Sequence, residues 1–359
     1  MPVLQKVLVA QICRYSSPGT VLVLLGALIG LVLSPASPTA AQELTNIKIS
    51  VDYRLYGANS PMWFAQANGL FSEAGINATV DGSSGSGDAI NRVANGAYDA
   101  AYADVGTLAE FWARNPEVAP KLVMIILDRS PQAVVSLKKA NITSLKDLIG
   151  RKVGIGQADA TSRMFPAVLK LNHIPIDKIN PVPVEQRLRD AMLIRGDVDA
   201  VIGFDSAILF NLMTQNIQPS DTNVVYYADS GFNFYGNGLL VSRSLIKNKP
   251  DLVKRLTRAV AKAWVASIKN PQATIDALAK RDSLTDVPLE VKRLKWVLDK
   301  NVITPATRGG GIGAVDKQKF ESGLKTLSEG FGLSVTPTLA DLYDDRFLPP
   351  AADRALPEN

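Results

Sequence analysis

Cysteine is almost missing from this chain, with Cys13 alone among 359 residues, and so is histidine, with His173 alone. A single thiol cannot build a disulfide framework or a multi-thiolate metal site, and a single imidazole cannot build a histidine cluster. Aromatic residues make up 7% and charged residues 20%, and the formal charge of +5 is scattered rather than striped. No basic stripe and no aromatic ribonucleoprotein motif is present, which argues against nucleic acid as a partner. No glycine-rich loop ends in Gly-Lys-Ser/Thr, so the phosphate-cradling loop of nucleotide hydrolases is missing. No nucleophile elbow or paired-carboxylate motif stands out, and after Leu33 no long apolar run follows.

The N-terminus reads as a processing segment. Lys6 and Arg14 precede an apolar run from Val21 to Leu33, short for a membrane span. Small residues from Ser34 to Ala41 follow, and cleavage after Ala41 leaves a mature chain starting near Gln42. Cys13 lies before the apolar run, so it cannot be a lipidated cysteine, which would follow it. Loss of 1–41 removes Lys6 and Arg14 but no acid, so the charge falls from +5 to +3 and the mature protein has no thiol. An exported protein without disulfides depends on its core alone.

What is abundant is alternation of short apolar strands with helical stretches, the pattern of a parallel α/β sheet. Ile47–Val51, Ala78–Val80 and Ala100–Tyr102 are strands, each followed by a turn rich in Gly, Ser, Asn or Asp. Such turns all open on one sheet edge, where ligands bind. A second set begins near Lys152. Val93-Ala94-Asn95-Gly96-Ala97-Tyr98-Asp99-Ala100 and Leu193-Ile194-Arg195-Gly196-Asp197-Val198-Asp199-Ala200 share Gly-x-x-Asp-Ala, and each strand runs into an acid, Asp104 or Asp205. This implies two similar lobes facing each other, with 42–136 plus 237–359 in lobe 1, 137–236 in lobe 2, and crossings near Val134–Leu137 and Tyr235–Gly238. Val224–Tyr227 and Gly238–Val241 are expected to return to lobe 1. From Pro250 onward, Leu252, Val253, Leu256, Val260, Ala263, Trp264 and Ile268 recur at helical spacing.

The cleft turns supply the candidate ligand-binding residues: Asn59, Ser60, Met62 and Trp63 in the first; Ser86 and Gly87 in the second; Asp104 in the third; Asp159, Thr161 and Ser162 after the strand at Lys152; Phe204 and Asp205 after the strand at Ala200; with Arg129 and Tyr235 near the crossings. Each has a plainer alternative. Trp63 offers a flat apolar platform or packs under a loop. Asp104, Asp159, Asp205, Thr161 and Ser162 are types that cap helices. The run Gly82–Asp88 gives backbone amides to an anion or is a plain turn. Arg129 and Arg163 are candidates for an anion or surface ion-pair partners. His173 reads as a surface residue at a helix C-terminus.

Pro61-Met62-Trp63-Phe64-Ala65-Gln66-Ala67-Asn68-Gly69-Leu70-Phe71-Ser72-Glu73-Ala74-Gly75-Ile76, with Asn95–Ala100 and Ser144–Gly154, resembles segments of periplasmic solute-binding proteins of ABC importers, of the nitrate/sulfonate/taurine and thiamine-pyrimidine-precursor type. The resemblance covers about Leu44 to Ile268. It implies an α/β, bilobal type II periplasmic-binding-protein fold with a hinge and a central cleft. It implies an exported, periplasmic and non-enzymatic protein that delivers a small molecule to an importer's permease and ATPase complex, with no cofactor and no metal, and expected as a monomer. A related branch makes a thiamine pyrimidine with an active-site histidine and a cysteine-rich motif. A chain with only His173 and no mature cysteine departs from it, so that enzymatic reading is the alternative. The cleft turns carry more acids than free bases, which ranks a heteroaromatic or amino-bearing solute first and a sulfonate second. If Trp63 stacks on such a ligand, its removal weakens binding by about 1–2 kcal/mol.

Overall fold

A computed structural model describes residues 44–156 and 158–357. The processing segment and Cys13 lie outside the described residues. Ten strands form two five-stranded sheets: β1 (Thr45–Val51), β2 (Ile76–Asp81), β3 (Ala100–Asp104), β4 (Lys121–Ile125), β5 (Gln132–Leu137), β6 (Lys152–Ile155), β7 (Asn180–Pro183), β8 (Ala200–Phe204), β9 (Thr222–Tyr226) and β10 (Asn237–Val241). The first sheet runs β2-β1-β3-β10-β4 and the second β7-β6-β8-β5-β9. In each, four strands run in one direction, and a single opposed strand, β10 or β5, lies between the third of them and the edge strand. In β1, Ile47, Ile49, Ser50 and Val51 are all buried. Burial on both faces is what helices covering a parallel sheet impose.

The Gly-x-x-Asp-Ala repeat has one geometry in both lobes. Gly96 and Gly196 end helices with φ of +81° and +82°, a region glycine enters without steric cost. Asp99 and Asp199 then accept from the Lys48 and Lys152 amides, each at 2.8 Å, and their own amides donate to the same residues' carbonyls at 2.9 and 2.8 Å. Each motif thus fastens the start of its strand to the neighbouring parallel strand, β3 to β1 and β8 to β6.

The helices that follow the strands are α1 (Ser60–Ala67), α2 (Leu70–Glu73), α3 (Ser86–Ala94), α4 (Val105–Arg114), α5 (Ala160–Leu171), α6 (Arg189–Arg195) and α7 (Asp205–Met213). A C-terminal set adds α8 (Arg243–Asn248), α9 (Pro250–Lys269), α10 (Pro271–Arg281), α11 (Val287–Val297), α12 (Pro305–Gly310) and α13 (Lys317–Phe331). Pro61, Pro250, Pro271 and Pro305 all sit at helix starts, where the missing N–H costs nothing. The apolar period after Pro250 is the face that α9 buries, with Leu256, Val260, Ala263 and Trp264 fully enclosed. Leu256 and Val260 each contribute roughly 1.5–3 kcal/mol by leaving water.

The chain crosses between sheets earlier than the apolar pattern suggests. All of β5 pairs with β8 and β9 from Gln132 on, so the first crossing lies at 126–131 rather than at Val134–Leu137. β9 stays in the second sheet as its edge strand instead of returning to the first, and the second crossing is 227–236. That second crossing overlaps the Tyr235–Gly238 expected from the sequence; an apolar strand looks the same whichever sheet receives it, which is why pattern alone misplaces β5 and β9.

Candidate functional site

The C-terminal ends of β1, β2 and β3 face those of β6 and β8 across a narrow crevice. Its inner part is two small cavities of about 20 and 10 Å³, each near the size needed for one water. Asp52, Tyr53 and Tyr56 from the β1–α1 turn, Ser86 at the start of α3, and Asp159, Gln186 and Phe204 from the second lobe line the larger one. The crevice widens into an outer bay of about 920 Å³.

Asp52 follows β1 and is held by two amides. Its carboxylate accepts from Asn237 Nδ2 at 2.7 Å and from Asn59 Nδ2 at 3.3 Å. Burial pushes its carboxyl up to about 6 against those hydrogen bonds, and the charge of Asp159 across the crevice adds to the rise. Asp159 caps α5 through Ser162 N at 2.9 Å. Burial raises its pKa too, while the Arg189 guanidinium opposes the shift. Arg189 is itself 3% exposed, paired with Asp190 at 2.8 Å, and packed so close to β8 that any Cβ on Gly203 would overlap it. A glycine inside a strand often marks such a close approach.

Asp104 and Asp205, the two strand-end acids, are engaged by the protein's own donors. Asp104 caps α4 through Thr107 N at 2.7 Å and accepts from Gln132 Nε2, at the start of β5, at 2.9 Å. Burial pushes its carboxyl up to about 7. Asp205 accepts from Tyr226 Oη at 2.8 Å, Trp296 Nε1 at 2.9 Å and Ser206 N at 2.6 Å.

The sequence-selected residues therefore separate. Ser86, Asp159 and Phe204 line the inner crevice. Asn59 lines the smaller cavity and orders Asp52. Gly87 N donates to Ala158 O at 3.4 Å from lobe to lobe. Thr161 and Ser162 lie buried in the first turn of α5, with Thr161 Oγ1 finding no partner among the described residues and Ser162 Oγ accepting from Gly156 N at 3.0 Å. Ser60 and Met62 are buried in α1, Ser60 bonding to Gly57 O at 2.8 Å. Tyr235 is packed against Phe320 and Phe234, with its hydroxyl on Asp316. Arg129 pairs with Asp229 at 3.2 Å and lies over the Tyr226 ring, and Arg163 is paired with Glu110 at 2.5 Å.

Trp63 is placed on α10 instead of the crevice. Its indole donates to Ala277 O at 3.1 Å, and Arg281 covers its ring at 4.1 Å. Trp63→Ala is therefore expected to destabilise the fold by about 2–3 kcal/mol in urea titrations through lost packing and cation–π contact. Binding of any cleft ligand should change less than twofold.

Asp52, Tyr53, Tyr56, Gln186 and Arg189 did not emerge from the sequence. The signal for Asp52 was available: an acid directly after an apolar strand is the feature that singled out Asp104 and Asp205. His173 is exposed just beyond the C-terminus of α5, about 18 Å along the helix from the crevice. Among the described residues no cluster of three His, Cys, Asp or Glu could hold a metal ion, and no helix is long and apolar enough to cross a membrane.

The family model described as NMT1/THI5 like matches residues 58–274, more than half of the chain. The chain belongs to the NMT1/THI5-like family. It is 26% identical over 243 residues to the riboflavin-binding protein RibY of Chloroflexus aurantiacus, covering 67% of each chain. It is 25% identical over 245 residues to the 4-amino-5-hydroxymethyl-2-methylpyrimidine phosphate synthase of Aspergillus parasiticus, covering 65% of this chain and 70% of that one. Among solved structures, the periplasmic aliphatic sulphonate binding protein SsuA of Escherichia coli superposes with a TM-score of 0.61 at 14% identity, over 84% of this chain and 96% of that one. The two-sheet architecture of this NMT1/THI5-like protein is the periplasmic-binding-protein fold, bilobal with a central cleft.

Proposed function

We propose that this protein is an exported solute-binding protein that delivers a nitrogen-bearing heteroaromatic or amino-bearing molecule to the permease and ATPase complex of an ABC importer. The carrying observation is the chemistry of the inner crevice. Its lining includes two buried carboxyl groups, Asp52 and Asp159, on opposite lobes, beside Tyr53, Tyr56 and Phe204, and, among the described residues, no cationic side chain. Carboxylates accept hydrogen bonds, and aromatic faces stack on flat rings, so a planar ligand with N–H donors on two edges suits this wall. A bare oxyanion meets two like charges there. The names of the two curated relatives support the same ranking, since riboflavin and an aminopyrimidine are both nitrogen heteroaromatics. A sulfonate ranks second.

Enclosure would supply most of the affinity, and the lobes must part to admit a molecule larger than water. Calorimetry against riboflavin, aminopyrimidines, alkanesulfonates and nitrate tests the reading. Asp159→Asn is expected to weaken the bound heteroaromatic at least tenfold. Tight nitrate or sulfonate binding that is indifferent to Asp159→Asn would overturn the ranking.

The synthase-like relative motivates the enzymatic alternative, and recovery of chemically unchanged ligand after long incubation separates it from binding. The remote position of His173 supports binding. Export predicts a mature N-terminus near Gln42 in periplasmic material. A Met1 start in membrane fractions would sink that part.

A further inference from the structure

Below the crevice, α11 carries a buried guanidinium that touches both lobes. Arg293 is 1% exposed. Within α11 its Nε lies 2.9 Å from Glu290 Oε2, and that same oxygen reaches the first lobe by accepting from Gly57 N, in the β1–α1 turn, at 2.6 Å. On the second-lobe side its Nη1 donates to Ser206 O at 2.8 Å and its Nη2 to Asn211 Oδ1 at 3.2 Å, both in α7. The guanidinium plane is shared in the same way, lying 5.1 Å from the Tyr56 ring centre and 5.4 Å from that of Phe210. Asn211 passes the connection on, donating to Asp190 Oδ2 at 2.8 Å, and Asp190 holds Arg189 beside the crevice wall.

We propose that Arg293, oriented by Glu290, is a positioning residue that latches the crevice shut. A buried cation is tolerated only when its donors are met and its charge is paired. Here neither lobe meets them alone. Glu290 lies one turn before Arg293 on α11 and is tied to the first turn through Gly57 N, and Tyr56 belongs to that turn, while the Ser206 carbonyl, Asn211 and Phe210 come with α7. Parting the lobes along this seam takes from α11 either the α7 acceptors of Arg293 or the Gly57 and Tyr56 contacts of the Glu290–Arg293 pair, so only the closed arrangement keeps both sets. The seam also touches the ligand wall directly, because Tyr56 and Ala207 line the crevice and Arg293 Nη1 reaches Ala207 O at 3.3 Å. Gly57 fits the same purpose: a Cβ there would lie 2.5 Å from the Glu290 carbonyl oxygen, so only glycine lets the turn reach the strap. The importance of the latch for delivery rests on the solute-binding reading, but its effect on closure does not.

The test therefore reads the lobes without ligand. Spin labels at Leu188→Cys and Ser283→Cys, next to the bay-lining residues Arg187 and Asp282, report the width of the mouth in a Cys13→Ser background. The unliganded protein with the latch intact is expected to give mainly the short distance. Arg293→Met should raise the long-distance fraction at least fivefold, and Arg293→Lys should retain most of the short one. If Arg293→Met fails to fold, Asn211→Leu, which removes the side-chain acceptor of α7 together with the amide donor to Asp190, decides in its place with the same expected shift. An unchanged distance distribution in folded Arg293→Met, or in Asn211→Leu where that variant decides, overturns the proposal. A ligand panel in which nothing binds would leave this result standing and would count only against solute binding.

Discussion

The melting temperature of this protein is expected to fall between pH 5 and pH 8, and Asp104→Asn is expected to remove much of that fall. Burial pushes the Asp104 carboxyl up to about 7 and that of Asp52 up to about 6, against 3.8 for an ordinary aspartate. Below pH 4 both the folded and unfolded chains hold these protons, and the groups carry no penalty. As pH rises from there, the unfolded chain releases its protons first, so folding must retain or take up protons at growing cost. The stability these groups allow is lost as pH passes through about 6 and 7, and the loss levels off above. Each unit of difference is worth about 1.4 kcal/mol, so the pair together accounts for several kcal/mol and a melting shift of roughly 5 °C or more. Asp88, Asp147, Asp341 and Asp344 are shifted the opposite way and act below pH 4, outside this window.

Asparagine should fit at position 104. Its carbonyl can keep the Thr107 cap, and Gln132 Oε1, which has no partner, can turn to accept the new amide. Calorimetric melts at half-unit pH steps measure both curves. A flat or rising wild-type curve, or an Asp104→Asn curve of the same slope, would contradict the assignment.

Gly85→Val is expected to cost at least a hundredfold in affinity for whichever ligand of the panel binds. Gly85 has φ +149° and ψ 168°, a region that is essentially glycine's own. Any Cβ there would overlap the Ala158 carbonyl of the opposite lobe, at the place where Gly87 N donates to the same oxygen. Strain of about 1–3 kcal/mol affects the fold wherever the lobes stand, but the overlap exists only when they meet. Gly96→Ala separates the two effects, because Gly96 has φ +81° with open space around its missing Cβ. It should lower stability by about 1 kcal/mol without touching affinity. Solution scattering of Gly85→Val should give the open dimensions with or without ligand. Full affinity in this variant would mean that binding does not require the Gly85–Ala158 approach.

Local regularities of the chain were readable before any fold was known. The helical period from Pro250 onward, which is the apolar face of α9, and the paired Gly-x-x-Asp-Ala turns each arise from contacts within a few residues or with the adjacent parallel strand. Capping, glycine's positive φ and side-chain periodicity are short-range physics, and they leave a signature in the order of residues. The resemblance of Pro61–Ile76 to solute-binding proteins added the bilobal arrangement, and the family match and the two sheets agree with it.

The identity of the crevice wall is another matter. Trp63 and Asp52 are eleven residues apart at the same sheet edge. One lies under Arg281 on α10 and the other faces Asp159 across the crevice, because which side of the first turn meets the opposite lobe depends on helices more than two hundred residues later. Sequence left Arg129 and Arg163 open as anion binders or ion-pair partners, and only the approach of Asp229 and Glu110 from distant segments decides for pairing. Arg189 and Arg293, buried where charged residues seldom go, could not have been singled out from their neighbours in the chain. By itself the sequence determined most of the strands and helices and the repeated turn, since these depend largely on near neighbours, while β7, an edge strand with two prolines, left no strand signal. Which acids face the ligand and which cations are already paired was decided only by tertiary structure, since desolvation and pairing are properties of the assembled surroundings and not of the residue.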